Sequence, residues 1–83
     1  MEYQVVVPKK VQKEIDNFPA HKREKIFAIF AVIANNPFIG KKLGGKRKDE
    51  WSYRVWSYRV LYKIYKKELV VLIVKTDHRQ GVY

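Results

Sequence analysis

Hydrophobic positions near the start of the chain change from an alternating to a helical spacing. Tyr3-Gln4-Val5-Val6-Val7 predicts a strand, because a β-branched run with apolar residues at every second position suits a half-buried strand. Pro8 fits the first turn of a following helix, where its missing N–H costs nothing. Val11, Ile15 and Phe18 then form the apolar stripe of that short helix.

A second helix is predicted from Pro19 to about residue 34. The following apolar residues repeat at helical spacing: Ile26, Ile29, Phe30 and Ile33. We expect Phe27, Ala31 and Val32 to widen the buried face of this helix. Asn35-Asn36-Pro37 ends it, because proline disfavours helical geometry in the residue before it. The short turn between the two helices predicts an antiparallel hairpin.

The second half of the chain changes to strand patterns. Residues 51–55 and 58–65 alternate, and residues 69–74 form a continuous apolar run typical of a central strand. Trp56-Ser57 leaves room for a tight turn between the first two strands. The order strand, helix, helix, three strands predicts one α+β domain over residues 1–83, a β-α-α-β-β-β fold. Its antiparallel sheet is expected to carry the helix hairpin on one face and polar side chains on the other.

Charge is the unusual property of this composition. The 83 residues hold 18 Lys and Arg against 8 Asp and Glu, for a net charge of +10, and there is no cysteine. The excess is +2 over residues 1–40 and +8 over residues 41–83. This bias points first to nucleic acid and second to an anionic membrane, with a solvated basic surface as the alternative.

The sequence disfavours several other classes of protein, namely membrane-spanning proteins, proteins with a phosphate-binding loop and metalloproteins. The longest apolar run has nine residues, whereas a membrane span needs about 20, so we expect a soluble intracellular protein. The sequence has no glycine-rich phosphate loop and no cluster of metal ligands, and neither a metal nor a cofactor is expected.

Two groups of residues carry candidate chemistry. A basic loop is suited to following a phosphate backbone, with a solvated loop as the alternative; its cations are Lys41, Lys42, Lys46, Arg47 and Lys48. The second group consists of arginines in predicted strands and a polar C-terminal run: Arg54, Arg59, His78, Arg79 and Tyr83. Arginine forks bind phosphate, histidine exchanges protons near neutral pH, and tyrosine stacks on bases. Cross-strand pairing is the structural alternative for the two strand arginines.

Three segments together resemble the RelE/ParE toxin superfamily. The run Trp51-Ser-Tyr-Arg-Val-Trp-Ser-Tyr-Arg-Val-Leu-Tyr-Lys-Ile is similar to its central hairpin, and Lys42-Leu43-Gly44-Gly45 resembles the Lys-Leu-x-Gly that precedes it. The ending His78-Arg79-x-x-Val82-Tyr83 is similar to the family's His-Arg-x-x-Val-Tyr. The resemblance spans essentially the whole chain and is specific from residue 42 onward.

The resemblance implies a cytoplasmic toxin of a type II toxin–antitoxin pair. RelE-like members cleave mRNA in the ribosomal A site: the 2′-hydroxyl attacks the adjacent phosphate and leaves a 2′,3′-cyclic phosphate. ParE-like members inhibit DNA gyrase instead, and an inactive antitoxin-binding relative is a further alternative. The implied partners are mRNA, the ribosome and an antitoxin, which we expect to be acidic and to carry an amphipathic helix.

Family roles are carried over by matching positions. Arg59 matches the arginine that contacts the scissile phosphate, Arg79 the one that assists the leaving group, and Tyr83 the tyrosine that stacks on a base or orients the nucleophile. Arg54 matches a basic position on the first hairpin strand. Ser52 stands where RelE has a lysine proposed as general base, and His78 is the substitute candidate here.

Overall fold

The computed structural model describes residues 2–78, so Met1 and residues 79–83 lie outside the described part of the chain. The elements in order are β1 (Gln4–Val6), α1 (Lys9–Asp16), α2 (Ala20–Asn35), β2 (Lys41–Lys42), β3 (Trp51–Val55), β4 (Tyr58–Tyr65) and β5 (Val70–His78). Single 3-10 turns occupy Pro37–Ile39 and Gly45–Arg47.

The α+β class is confirmed, with five strands in the order β1-β5-β4-β3-β2. Strands β2 to β5 pair antiparallel, as predicted, and β3 and β4 turn at Trp56-Ser57. One pair differs: β1 lies parallel to β5, with Val5 opposite Val71. Parallel strands need a long connection. Here the connection from β1 to β5 runs through both helices and then through β2, β3 and β4.

Both helices bury their predicted stripes against one face of the sheet. Val11 and Ile15 of α1 are buried, together with the four stripe residues of α2. They pack on a sheet surface made by the following residues: Tyr58, Val60, Tyr62, Val71 and Ile73. This face is the hydrophobic core of the domain.

The buried face of α2 is narrower than predicted, because Phe27, Ala31 and Val32 do not belong to it. Phe27 is 44% exposed, Val32 is 41% exposed, and Ala31 is exposed as well. Successive helical residues are turned by about 100°, so these positions fall outside the stripe that contains Ile26, Ile29 and Ile33. The helix therefore carries apolar side chains on its solvent side too.

A buried tyrosine joins the sheet to the segment that follows α2. Tyr62 is fully buried, and its hydroxyl donates a hydrogen bond of 2.6 Å to the Pro37 carbonyl oxygen. Burial raises the pKa of Tyr62 to about 12. Gly40 lies so close that a Cβ there would overlap the Tyr62 hydroxyl and sit 2.8 Å from the Ser52 carbonyl oxygen. Glycine is therefore required at this position for β2 to reach the sheet edge.

The last described strand is longer than predicted. The sequence predicted a strand over residues 69–74, but β5 continues to His78. The register between β4 and β5 shifts once, between Leu61 and Tyr62, and the two strands remain paired on both sides of this shift. The predicted basic loop contains β2 and the second 3-10 turn. In the part of the chain from residue 2 to residue 78, no helix is long and apolar enough to cross a membrane.

Candidate functional site

The candidate site lies on the face of the sheet turned away from the helices, called the open face below. Successive strand residues point to opposite faces. Tyr58, Val60 and Tyr62 of β4 enter the core, so Arg59 and Lys63 belong to the open face. Strand pairing extends this assignment to β3 and β5.

An arginine row, defined as Arg54, Arg59 and Asp77, crosses three strands of the open face. Arg54 is the register partner of Arg59 in the β3–β4 pair, and Arg59 is the partner of Asp77 in the β4–β5 pair. Neighbours in such a row lie about 5 Å apart at the backbone. Arg59 Nη2 is 3.6 Å from Asp77 Oδ2, and Lys75 Nζ is 3.8 Å from Asp77 Oδ1.

The row is suited to binding an anion. The Arg59–Asp77 and Lys75–Asp77 distances indicate loose ion pairs on half-exposed groups, which contribute little stability. Arg54 is exposed, and no carboxylate of residues 2–78 lies within 4.0 Å of it. Arg54, Arg59 and Lys75 carry three positive charges against the single negative charge of Asp77, and a phosphate can neutralise the excess with bidentate hydrogen bonds.

Asp77 is the member of this row that the sequence analysis missed. The strand was expected to end at residue 74, which left Asp77 in a polar tail. The available signal was the continued alternation from Lys75 through buried Thr76 to Asp77. A strand that continues at period two places Lys75 and Asp77 on one face.

His78 is separated from the arginine row by the sheet itself. It pairs with Tyr58, a core residue, and its ring centroid lies 4.5 Å from that of Tyr58 and 6.4 Å from that of Phe18. Burial lowers the pKa of His78, and the positive charges of Lys22 and His21 lower it further. Its imidazole lies on the helix side of the sheet. Its predicted acid–base role is not tested by this placement.

The other predicted residues divide into two sets. Arg79 and Tyr83 lie outside the described residues. The five cations of the predicted RNA-binding loop are all exposed; their locations are Lys41 and Lys42 in β2, Lys46 and Arg47 in the second 3-10 turn, and Lys48 directly after it.

Two contacts within the predicted loop close it on itself. Arg47 Nη1 donates to Glu50 Oε1 at 2.6 Å, and the Leu43 N–H donates to the Glu50 carbonyl oxygen at 2.9 Å. Lys41 is the register partner of Ser52, which precedes Arg54 by one open-face position. The loop thus extends the positive charge of the arginine row to the sheet edge. Within residues 2–78, no group of three or more His, Asp or Glu side chains could hold a metal ion.

A helix hairpin on one face of the sheet and cations on the other define a small basic α+β domain with a surface suited to anions. The family model described as "ParE toxin of type II toxin-antitoxin system, parDE" matches residues 5–83. The chain therefore belongs to this family of toxins of type II toxin–antitoxin systems, within the RelE/ParE superfamily that the sequence resembles.

Individual relatives agree with the family. The chain is 26% identical to a protein named as the toxin RelE1 of Methanocaldococcus jannaschii, over 100% of this chain and 97% of the relative. The toxin–antitoxin complex RelBE2 from Mycobacterium tuberculosis matches with a TM-score of 0.89 and 25% identity, covering 95% of this chain and 100% of that one. The archaeal RelE–RelB complex from Pyrococcus horikoshii matches with a TM-score of 0.78 and 25% identity, covering 99% and 100%.

Proposed function

We propose that this toxin is a metal-independent endoribonuclease that cleaves mRNA, with the open face as its RNA surface. The observation that carries the proposal is the arginine row, in which Arg54 and Arg59 share one cross-strand line. A folded domain keeps two arginines side by side at a cost in like-charge repulsion. A bound phosphate removes that cost.

The proposed reaction is an intramolecular phosphoryl transfer. The 2′-oxygen forms a bond to the adjacent phosphorus while the bond from phosphorus to the 5′-oxygen breaks, which gives a 2′,3′-cyclic phosphate and a 5′-hydroxyl. Arg59 binds the phosphate and stabilises its developing charge, and Arg54 holds the neighbouring backbone. Arg79 is assigned to stabilising the charge that develops on the 5′-oxygen, which then takes a proton from solvent. Tyr83 is assigned to stacking on a base. Both roles are those that the family resemblance implies.

Two residues compete for the role of accepting the 2′-hydroxyl proton. His78 is the candidate from the sequence, although its ring lies on the helix side of the sheet. Asp77 is the acidic group beside Arg59 on the open face. Asp77→Asn and His78→Gln distinguish them, because both replacements keep size and remove basicity. The residue whose replacement slows cleavage at least about a hundredfold, with RNA binding retained, is the general base.

The basic loop is assigned to docking. Cations that neutralise phosphates supply affinity that does not depend on sequence. The loop, beside Ser52 and Arg54, continues the RNA surface toward ribosomal RNA. We place the proposed cleavage in the ribosomal A site, and this role implies that the toxin acts in the cytoplasm.

Induced expression tests the nuclease proposal. Wild-type protein should stop growth and produce new mRNA 5′ ends at codon-spaced positions. Arg59→Ala should reduce cleavage at least about a hundredfold, while circular dichroism shows a retained fold. Lys10→Ala, which removes an exposed charge from α1 on the other side of the sheet, is the matched control. Full cleavage by the Arg59→Ala and Arg54→Ala variants would contradict the proposal.

Gyrase inhibition is the second candidate function. The matching family model is that of the ParE toxins, and Ser52 replaces the lysine that the RelE resemblance would require. This alternative predicts inhibited supercoiling by purified gyrase and a DNA-damage response with intact mRNA. Codon-spaced mRNA cuts without either effect would exclude it.

We further propose that the antitoxin is acidic and covers the outward apolar side of α2. Val32 is exposed there, and it lines, with Ala28 and Ile29, a shallow groove between α2 and β3 that continues past Tyr53 and Val55. An amphipathic helix buries such a stripe, and acidic side chains complement the charge of +10. Val32→Glu should weaken the complex with the cognate antitoxin and leave mRNA cleavage unchanged.

A further inference from the structure

A second cavity lies at the end of the sheet opposite the arginine row. It has a volume of about 320 Å³ and opens where β3 begins and β4 ends. Three aromatic and three basic side chains dominate its lining: Phe38, Trp51, Tyr65, Lys42, Lys63 and Lys66. We call it the basic–aromatic cavity. Of its members, only Lys42 belongs to the predicted RNA-binding loop.

The aromatic side of the cavity is accessible, and two of its rings are in contact. Phe38 and Trp51 meet edge to face, with ring centroids 5.5 Å apart and ring planes at 80°. Phe38 remains 43% exposed and Tyr65 42% exposed. Lys66 Nζ lies 5.4 Å from the Phe38 ring centre. The cavity therefore presents flat aromatic surfaces, and the contacts of Phe38 with Trp51 and Lys66 position its ring without a ligand.

The charged side of the cavity is strongly positive. Among residues 2–78, no carboxylate lies within 4.0 Å of Lys42, Lys63 or Lys66. Asp49 is the single acidic residue in the lining. Three ammonium groups that have no ion pair within the described chain attract an anion. The Asp49 carboxylate can accept a hydrogen bond from the amino group of a base.

The edge of β4 adds polar backbone groups to the same place. The β3–β4 ladder ends at the pair Trp51–Tyr62, whereas β4 continues to Tyr65. Within the described chain, residues 63–65 therefore have no strand partner on the β3 side. Backbone groups of this stretch that do not bond to β5 point toward the missing strand and are available to the edge of a planar ligand.

We propose that the basic–aromatic cavity binds one unstacked nucleotide of single-stranded RNA. The base lies against the aromatic rings, where stacking accepts any base, and the phosphate lies against the lysines. This inference rests on the proposed function and extends it. Lys63 is four residues from Arg59 along β4, which is about 13 Å, so the nucleotide held here is outside the one that is cut.

Trp51 makes the cavity directly observable. The chain has two tryptophans, and the other, Trp56, is 67% exposed in the β3–β4 turn. A Trp56→Phe protein therefore reports on Trp51 alone. We expect its fluorescence to change on titration with 5′-nucleoside monophosphates and with a 2′-O-methyl RNA hexamer, which cannot be cleaved. The amide resonances of residues 63–65 should shift in the same titration.

Variants connect the signal to the cavity. Tyr65→Ala removes an exposed stacking surface and should weaken hexamer binding about tenfold. Lys63→Ala should weaken binding and lower its salt dependence. Lys67→Ala removes an exposed lysine of the next turn that does not line the cavity. It should change affinity far less than either.

The outcomes separate this inference from the proposed function. An unchanged Trp51 signal with both probes, or equal affinities of the Tyr65→Ala and Lys67→Ala variants, would overturn it even if mRNA is cleaved. A Trp51 response to an acidic peptide but not to RNA would also overturn it and would identify a protein-binding site. A Trp51 response in a protein that never cleaves mRNA would instead contradict the nuclease proposal alone.

Discussion

Replacing Tyr62 by phenylalanine is expected to destabilise the protein in a pH-dependent manner. The Tyr62 hydroxyl is buried and donates to the Pro37 carbonyl oxygen at 2.6 Å. Tyr62→Phe removes the donor and leaves that carbonyl buried without it. Loss of such a bond costs about 1–3 kcal/mol of the free energy of unfolding. This is the expected difference at neutral pH.

The difference should shrink in alkaline solution. Burial raises the pKa of Tyr62 from 10.0 to about 12 in the folded protein. Above pH 10 the hydroxyl therefore loses its proton more readily in the unfolded chain than in the folded protein, which favours unfolding. The stabilising contribution is complete below pH 10 and falls as the pH rises toward 12. One pH unit of this offset is worth about 1.4 kcal/mol. Between neutral pH and about pH 11, this effect should lower the free energy of unfolding of the wild type by about 1.4 kcal/mol. The Tyr62→Phe variant lacks the titrating group and should not show this loss.

Urea unfolding followed by circular dichroism measures both values. Wild type and variant are compared at about pH 8 and about pH 11, so that effects of the remaining tyrosines and lysines cancel in the difference. Tyr65→Phe, at a position 42% exposed, is the control and should show no such change with pH. A stability difference between wild type and Tyr62→Phe that stays constant across this range would refute the reasoning.

Three further substitutions test the fold and the site. Gly40→Ala places a methyl group against the buried tyrosine hydroxyl and the neighbouring backbone, so the melting temperature should fall by an amount equivalent to about 1–3 kcal/mol; Gly44→Ala, with nothing within 4 Å of the added carbon, should leave it nearly unchanged. Thr76→Val removes a buried hydroxyl that has no hydrogen-bond partner among residues 2–78, and it should raise the free energy of unfolding by about 1 kcal/mol in urea titrations. A lower value would show that the hydroxyl is satisfied. Asp77→Asn removes the carboxylate that pairs with Arg59, and should strengthen RNA binding severalfold with a steeper salt dependence in anisotropy titrations; unchanged affinity would show that the open face does not bind phosphate.

Local patterns predicted most of the elements correctly. The stripes of Val11 with Ile15 and of Ile26 with Ile33 identify both helices, because 3.6-residue periodicity depends only on neighbouring residues. The alternation on either side of the Trp56-Ser57 turn identifies the hairpin for the same reason. The resemblance of the second half to the toxin superfamily led to the correct family.

Long-range pairing was beyond the reach of these patterns. The parallel position of β1 depends on where the helices pack, and the extension of β5 to His78 depends on the length of β4 that remains available. Strand registers are determined by partners distant in sequence, and a shift of one residue changes which face a side chain occupies. The sequence analysis therefore missed Asp77, and it grouped His78 with Arg54 and Arg59, from which the sheet separates it.

The sequence by itself determined the basic second half of the chain, the helix and strand periodicities, and the family. Only the tertiary structure decided which cations act together. Register brings Arg54, Arg59 and Asp77 into one row, and the end of the β3–β4 ladder creates the basic–aromatic cavity some distance away. The physical reason is that charge composition and periodicity are properties of the chain, whereas a binding site depends on contacts between segments far apart in sequence.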